Sequence, residues 1–131
     1  MKFLLDTDTA SFFIRSNPKL RDRVLSEYGN WAISAITYTE LARYQFQTPS
    51  LMIKEAISAF LIDAKTVEFT SADALEAGRL SVLLRRKGTP IGEYDTLIAG
   101  HALSLGATLV TNNTKHFKQV PELRLDNWLN G

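Results

Sequence analysis

Short aliphatic runs alternate along this chain with longer stretches in which apolar residues recur every three or four positions. The runs at 2–5, 31–34, 66–69 and 109–111 have strand length and the aliphatic and aromatic content of strands covered on both faces. A shorter run at 123–125 reads as a closing edge strand. Between them the helical period predicts helices at 7–15, 17–28, 37–47, 48–63, 71–88 and 93–105, with one helical turn at 113–117. Punctuation supports these limits. Asp6 or Asp8 caps the first helix, Asn17-Pro18 opens the second, Ser71 caps the fifth, and Gly88 and Gly106 stand where helices end in a left-handed residue.

Strands alternating with helices of this length predict an α/β fold, a three-layer sandwich around a mainly parallel sheet. With 131 residues and no linker, repeat or low-complexity tract, residues 1–131 are expected to form one domain. A 45% hydrophobic content supplies a packed core, which sets aside disordered and fibrous classes. The chain has no cysteine, so disulfides, zinc–thiolate centres and cysteine nucleophiles are excluded together. The opening MKFLLDTDTA turns acidic after five residues and reads as a strand, not as the apolar core of a signal peptide. No run approaches the roughly 18 apolar residues that cross a bilayer, so the expected compartment is the cytoplasm.

The net charge of +1 gives no bulk attraction for a polyanion. The distribution says more. Basic residues gather at 21–23, 85–87 and 115–118, while three acids stand where strands hand over to helices. Asp6 directly follows the first strand, Glu40 is placed in the first turn after the second, and Asp95 in the first turn after Pro90-Ile91-Gly92. Ligands of open α/β sheets bind outside the carboxyl ends of the strands.

Each acid also has a local reading. Asp6 serves as a helix cap, Glu40 completes a Thr37-x-x-Glu40 capping box, and Asp95 complements a helix dipole. If folding instead brings the three within about 4 Å, each pair repels by roughly 4 kcal/mol at an effective dielectric of 20, against about 1 kcal/mol from a cap. A hard dication relieves that repulsion, and Mg²⁺ favours sites built of a few carboxylates, waters and phosphate oxygens.

The ordered segments Leu5-Asp6-Thr7, Ser34 to Leu41, Gly88 to Gly92 with Asp95 to Ala99, Leu109 to Thr114, and Val120 to Leu123 with Asn127-Trp128 resemble the PIN-domain nucleases. The likeness spans nearly the whole chain and is strongest to the VapC toxins of bacterial toxin–antitoxin pairs. It implies a homodimeric endoribonuclease that uses Mg²⁺ or Mn²⁺, cleaves RNA to 5′-phosphate and 3′-hydroxyl ends, and is inhibited by a cognate antitoxin. Asp6, Glu40 and Asp95 occupy the family's three principal acidic positions, with Asp6 and Asp95 as the metal ligands.

Thr7, Ser34, Thr111, Asn112 and Asn113 are the supporting candidates, with capping and turn chemistry as their alternative roles. The sequence also departs from the family. Asn112 and Asn113 stand where many members carry a fourth acid, His116 replaces a common Glu and becomes a candidate phosphate contact, and Asp8 replaces a common Asn. Tyr38, Tyr44, Phe46 and Tyr94 are candidate stacking platforms for splayed bases. The competing function is a PIN-like RNA- or protein-binding module that has lost catalysis. A phosphoacceptor receiver is set aside, because Thr70 and Ser71 occupy the place of its acceptor acid.

Overall fold

The computed structural model describes residues 1–15 and 17–129. The elements follow in the order β1 (Phe3–Leu5), α1 (Thr7–Ile14), α2 (Pro18–Ser26), β2 (Trp31–Ser34), α3 (Ala35–Gln47), α4 (Leu51–Asp63), β3 (Thr66–Val67), α5 (Ser71–Arg86), α6 (Glu93–Leu105), β4 (Thr108–Val110), α7 (Thr114–Phe117) and β5 (Leu125–Asp126). The strands form one five-stranded sheet in the order β3-β2-β1-β4-β5. Every pairing is parallel, with Leu4 opposite Ala32 on one side and Leu109 on the other.

Alternate residues of a strand face opposite sides, and the core divides accordingly. Phe3, Leu5, Trp31, Ile33 and Val110 join Ala10, Leu20, Val24, Leu41, Ile57 and Phe60 on one face, under α1 to α4. Leu4 and Leu109 join Leu80, Leu84, Ile98, Ala99, Ala102 and Phe117 on the other, under α5 to α7. Trp31 stacks on Phe60, with ring centroids 6.0 Å apart and planes 9° from parallel. The architecture is the expected three-layer α/β sandwich.

Several predicted boundaries move, each for a local reason. Ser34 caps α3 by accepting from the Ile36 N–H at 3.0 Å, so the helix begins two residues before Thr37. Glu40 then falls in its second turn, and no Thr37–Glu40 capping box forms. Thr70, not Ser71, caps α5, in a capping box closed by Asp73. Ser50 caps α4, which starts beyond Thr48-Pro49. The closing strand is Leu125–Asp126 and not 123–125, because Leu125 pairs with Leu109.

Chain order fixes where a ligand site forms. The chain runs β1, β2, β3 toward one edge, then crosses to β4 on the far side of β1. The crevice of such a sheet opens at this reversal, beyond the carboxyl ends of β1 and β4.

Candidate active site

Asp6 leaves β1 at that reversal and is 4% exposed. Its Oδ1 accepts from the Thr9 N–H at 2.8 Å, so it does cap α1. Capping does not remove it from the crevice, because the same carboxyl takes a hydrogen bond from the Thr111 hydroxyl at the end of β4. These bonds lower its pKa, but burial outweighs them and pushes the value up to about 6, with a further push from Asp8.

Glu40 is half-buried on α3, and its Oε1 accepts from the Thr7 hydroxyl at 2.6 Å. Thr7 Oγ1 also lies 3.0 Å from Thr37 Oγ1, which ties the start of α1 to α3. Burial raises the Glu40 pKa, the Thr7 bond opposes it, and the charges of Asp95 and Asp8 add to the rise. Asp95 stands in the first turn of α6, after Gly92 at φ 95°, a backbone angle that suits glycine. Burial raises its pKa as well, against the opposing effect of His116.

His116, with its side chain 30% exposed, pairs with Asp95. Its Nε2 lies 3.1 Å from Asp95 Oδ2 and 3.0 Å from the Ile91 carbonyl oxygen. Two acceptors facing one ring nitrogen require that nitrogen to carry the proton, so His116 donates and braces Asp95. Residue spacing carries no sign of this pairing, which exists because the short helix after β4 packs beside the start of α6.

Among the supporting candidates, Thr7 and Thr111 reach carboxylates. Ser34 does not. Besides capping α3, its hydroxyl lies 2.8 Å from Nδ1 of the fully buried His101, whose Nε2 faces Asp73 Oδ2 at 3.4 Å. The Asp73 carboxylate facing Nε2 can only accept, so the His101 proton sits on Nε2 and the Ser34 hydroxyl donates to Nδ1. Burial lowers the His101 pKa, as suits a neutral structural histidine. Asn112 and Asn113 are exposed; Asn112 Oδ1 accepts from Asn127 Nδ2 at 3.5 Å, and the Asn113 N–H donates to Thr111 Oγ1 at 2.9 Å.

The acids do not crowd as tightly as the 4 Å estimate assumed. Among the described residues, no three Asp, Glu or His side chains are placed to hold one ion directly between them. Each is tied instead to its own partner: Asp6 to Thr9 and Thr111, Glu40 to Thr7, and Asp95 to His116. They share one electrostatic environment all the same, because Glu40 feels Asp95, and Asp8 acts on Asp6, Glu40 and Asp95 alike. Among the described residues, none of Asp6, Glu40 and Asp95 lies within 4.0 Å of a Lys or Arg nitrogen. One buried and two half-buried carboxylates with no described Lys or Arg nitrogen in contact suit Mg²⁺, which keeps its waters and takes one or two carboxylates directly.

Residues 3–123 match the PIN domain family model. The chain belongs to the PIN-domain family. Within it the relatives are VapC proteins. The chain is 34% identical to the tRNA(fMet)-specific endonuclease VapC of Salmonella typhimurium, over 98% of both chains. It is 35% identical to the ribonuclease VapC2 of Rickettsia felis, again over 98% of both. Its fold matches VapBC2 from Rickettsia felis bound to a promoter DNA fragment with a TM-score of 0.90, covering 98% of this PIN-domain chain and 99% of that one at 32% identity. No described helix is long and apolar enough to cross a membrane.

Proposed function

We propose that this PIN-domain protein is a Mg²⁺- or Mn²⁺-dependent endoribonuclease, the toxin of a type II toxin–antitoxin pair. The reading includes a homodimer that works in the cytoplasm until a cognate antitoxin inhibits it. One observation carries the chemistry: a buried carboxylate at the sheet reversal, Asp6, has further acids around it and no basic side chain to neutralise it among the described residues. The VapC names of the relatives support RNA as the substrate, and the VapBC neighbours support an antitoxin partner.

Asp6 and Asp95 are the ion-holding residues in this reading, directly or through water. Bound there, the ion supplies positive charge that orients a phosphodiester and makes water more acidic. Thr9 and Thr111 hold the Asp6 carboxylate still, and His116 does the same for Asp95. Glu40, raised in pKa and held by Thr7 through one oxygen, takes the proton of the attacking water.

The exposed amides of Asn112 and Asn113, where an acid is common in the family, favour the competing view of a catalytically silent binding module. One experiment separates the two. The purified chain, freed of any partner, is incubated with single-stranded RNA and Mg²⁺ or Mn²⁺. We expect cleavage with 5′-phosphate ends that falls at least about 100-fold in Asp6→Ala and Asp95→Asn proteins that remain folded. No cleavage by the wild type in either metal would establish the binding module.

A further inference from the structure

Two arginines beside the carboxylates are held in the same unusual way. The Arg43 guanidinium on α3 hydrogen-bonds the Tyr94 hydroxyl and lies over the Tyr94 ring, 4.9 Å from its centroid. Arg15, just past α1, donates to the Tyr44 hydroxyl at 3.2 Å and lies 5.6 Å from the centroid of that ring. Both are exposed, and among the described residues neither is within 4.0 Å of a carboxylate oxygen. Arg15, Arg43 and Tyr44 line one groove between α1 and α3, of about 370 Å³, together with Asp8 and Glu40.

The groove is polarised. Asp8 and Glu40 mark its catalytic end, and Arg15 stands seven residues after Asp8, about 10 Å along the helix axis. We propose that this groove seats the nucleotide next to the scissile phosphate of a single-stranded RNA, with Arg15 and Arg43 gripping its phosphates. The proposal rests on the reading of the carboxylate site as a ribonuclease centre.

Three physical reasons favour it. RNA must approach several carboxylates on a molecule whose net charge is only +1, so local cations have to supply the attraction. A guanidinium offers five N–H donors, and a tyrosine hydroxyl uses few of them, which leaves paired donors for a phosphate. Stacking on tyrosine also orders the arginine before the ligand arrives, which lowers the entropy lost on binding. The same stacking keeps Arg43 from collapsing onto Glu40, whose charge it feels.

The test uses the full chain carrying Asp95→Asn, chosen to suppress cutting, and a labelled single-stranded RNA oligonucleotide titrated at several salt concentrations. Arg15→Gln and Arg43→Gln are each expected to weaken binding about tenfold and to reduce the slope of log K against log salt by about 0.7. Arg79→Gln, on α5 and paired with Glu76, should change neither quantity. Thermal melts confirm that each variant is folded. Unaltered affinity and slope in both arginine variants overturn the proposal, as does RNA binding that is normal while inhibition by a partner protein is lost, which would make the groove a protein-docking surface. If the wild type cleaves RNA yet the arginine variants bind like the parent, only this inference falls; a wild type that neither binds nor cleaves RNA removes both.

Discussion

The Asp6 carboxyl titrates near pH 6 because burial penalises its charge more than the bonds from Thr111 and Thr9 relieve it. The fold therefore prefers the protonated form, whereas the unfolded chain titrates near the ordinary 3.8. Stability from this group is complete below about pH 4 and is lost as the pH rises through 6. The loss amounts to about 3 kcal/mol, at about 1.36 kcal/mol per pH unit. Asn caps a helix as well as Asp does, so Asp6→Asn keeps the Thr9 bond and removes the charge. In EDTA, urea denaturation should show the wild type losing stability relative to Asp6→Asn between about pH 4 and about pH 6. Parallel pH profiles would refute the assignment. The place of Asp6 directly after a strand marks it as a candidate from the sequence alone. Its titration was not legible there, because burial depends on what packs above it.

At the scale of elements, α5 and α6 approach so closely that side chains give way to backbone. A Cβ on Gly100 would lie 2.6 Å from Ala77 Cα and 2.9 Å from Ala77 N, and neither atom can swing aside. Gly100→Ala should cost about 1–3 kcal/mol and lower the melting temperature. Gly78 lies on exposed α5 surface, and a methyl group added there would meet nothing within 4 Å, so Gly78→Ala should stabilise by about 0.5–1 kcal/mol. Opposite signs in two helical glycine-to-alanine changes, read by thermal denaturation, test this packing directly. Helix existence was readable from periodicity, but helix starts were less so. Ser34 competes with Thr37 as a cap, and the choice between them decides which turn of α3 holds Glu40.

For the molecule as a whole, the sheet order gathers segments far apart in the chain. Thr111 and Asp6 meet because β4 pairs with β1, and Glu40 reaches Thr7 because α3 follows β2 on the other side of β1. A ligand that binds only the folded site stabilises the entire domain. Millimolar Mg²⁺ or Mn²⁺ should therefore raise the melting temperature of the wild type at about pH 7.5, with little effect on Asp6→Asn or Asp95→Asn. Equal shifts in all three proteins would place the ion elsewhere.

The alternation of strand and helix, the parallel sheet and the positions of Asp6 and Asp95 at the starts of helices follow from local patterns, because period, caps and turn residues act within a few positions of one another. The contacts that give the acids their properties lie beyond such reach. Thr111 on Asp6, Thr7 on Glu40, His116 on Asp95 and the tyrosines under Arg15 and Arg43 join residues at least 21 positions apart, so only the packed sheet and its crossing helices could decide them.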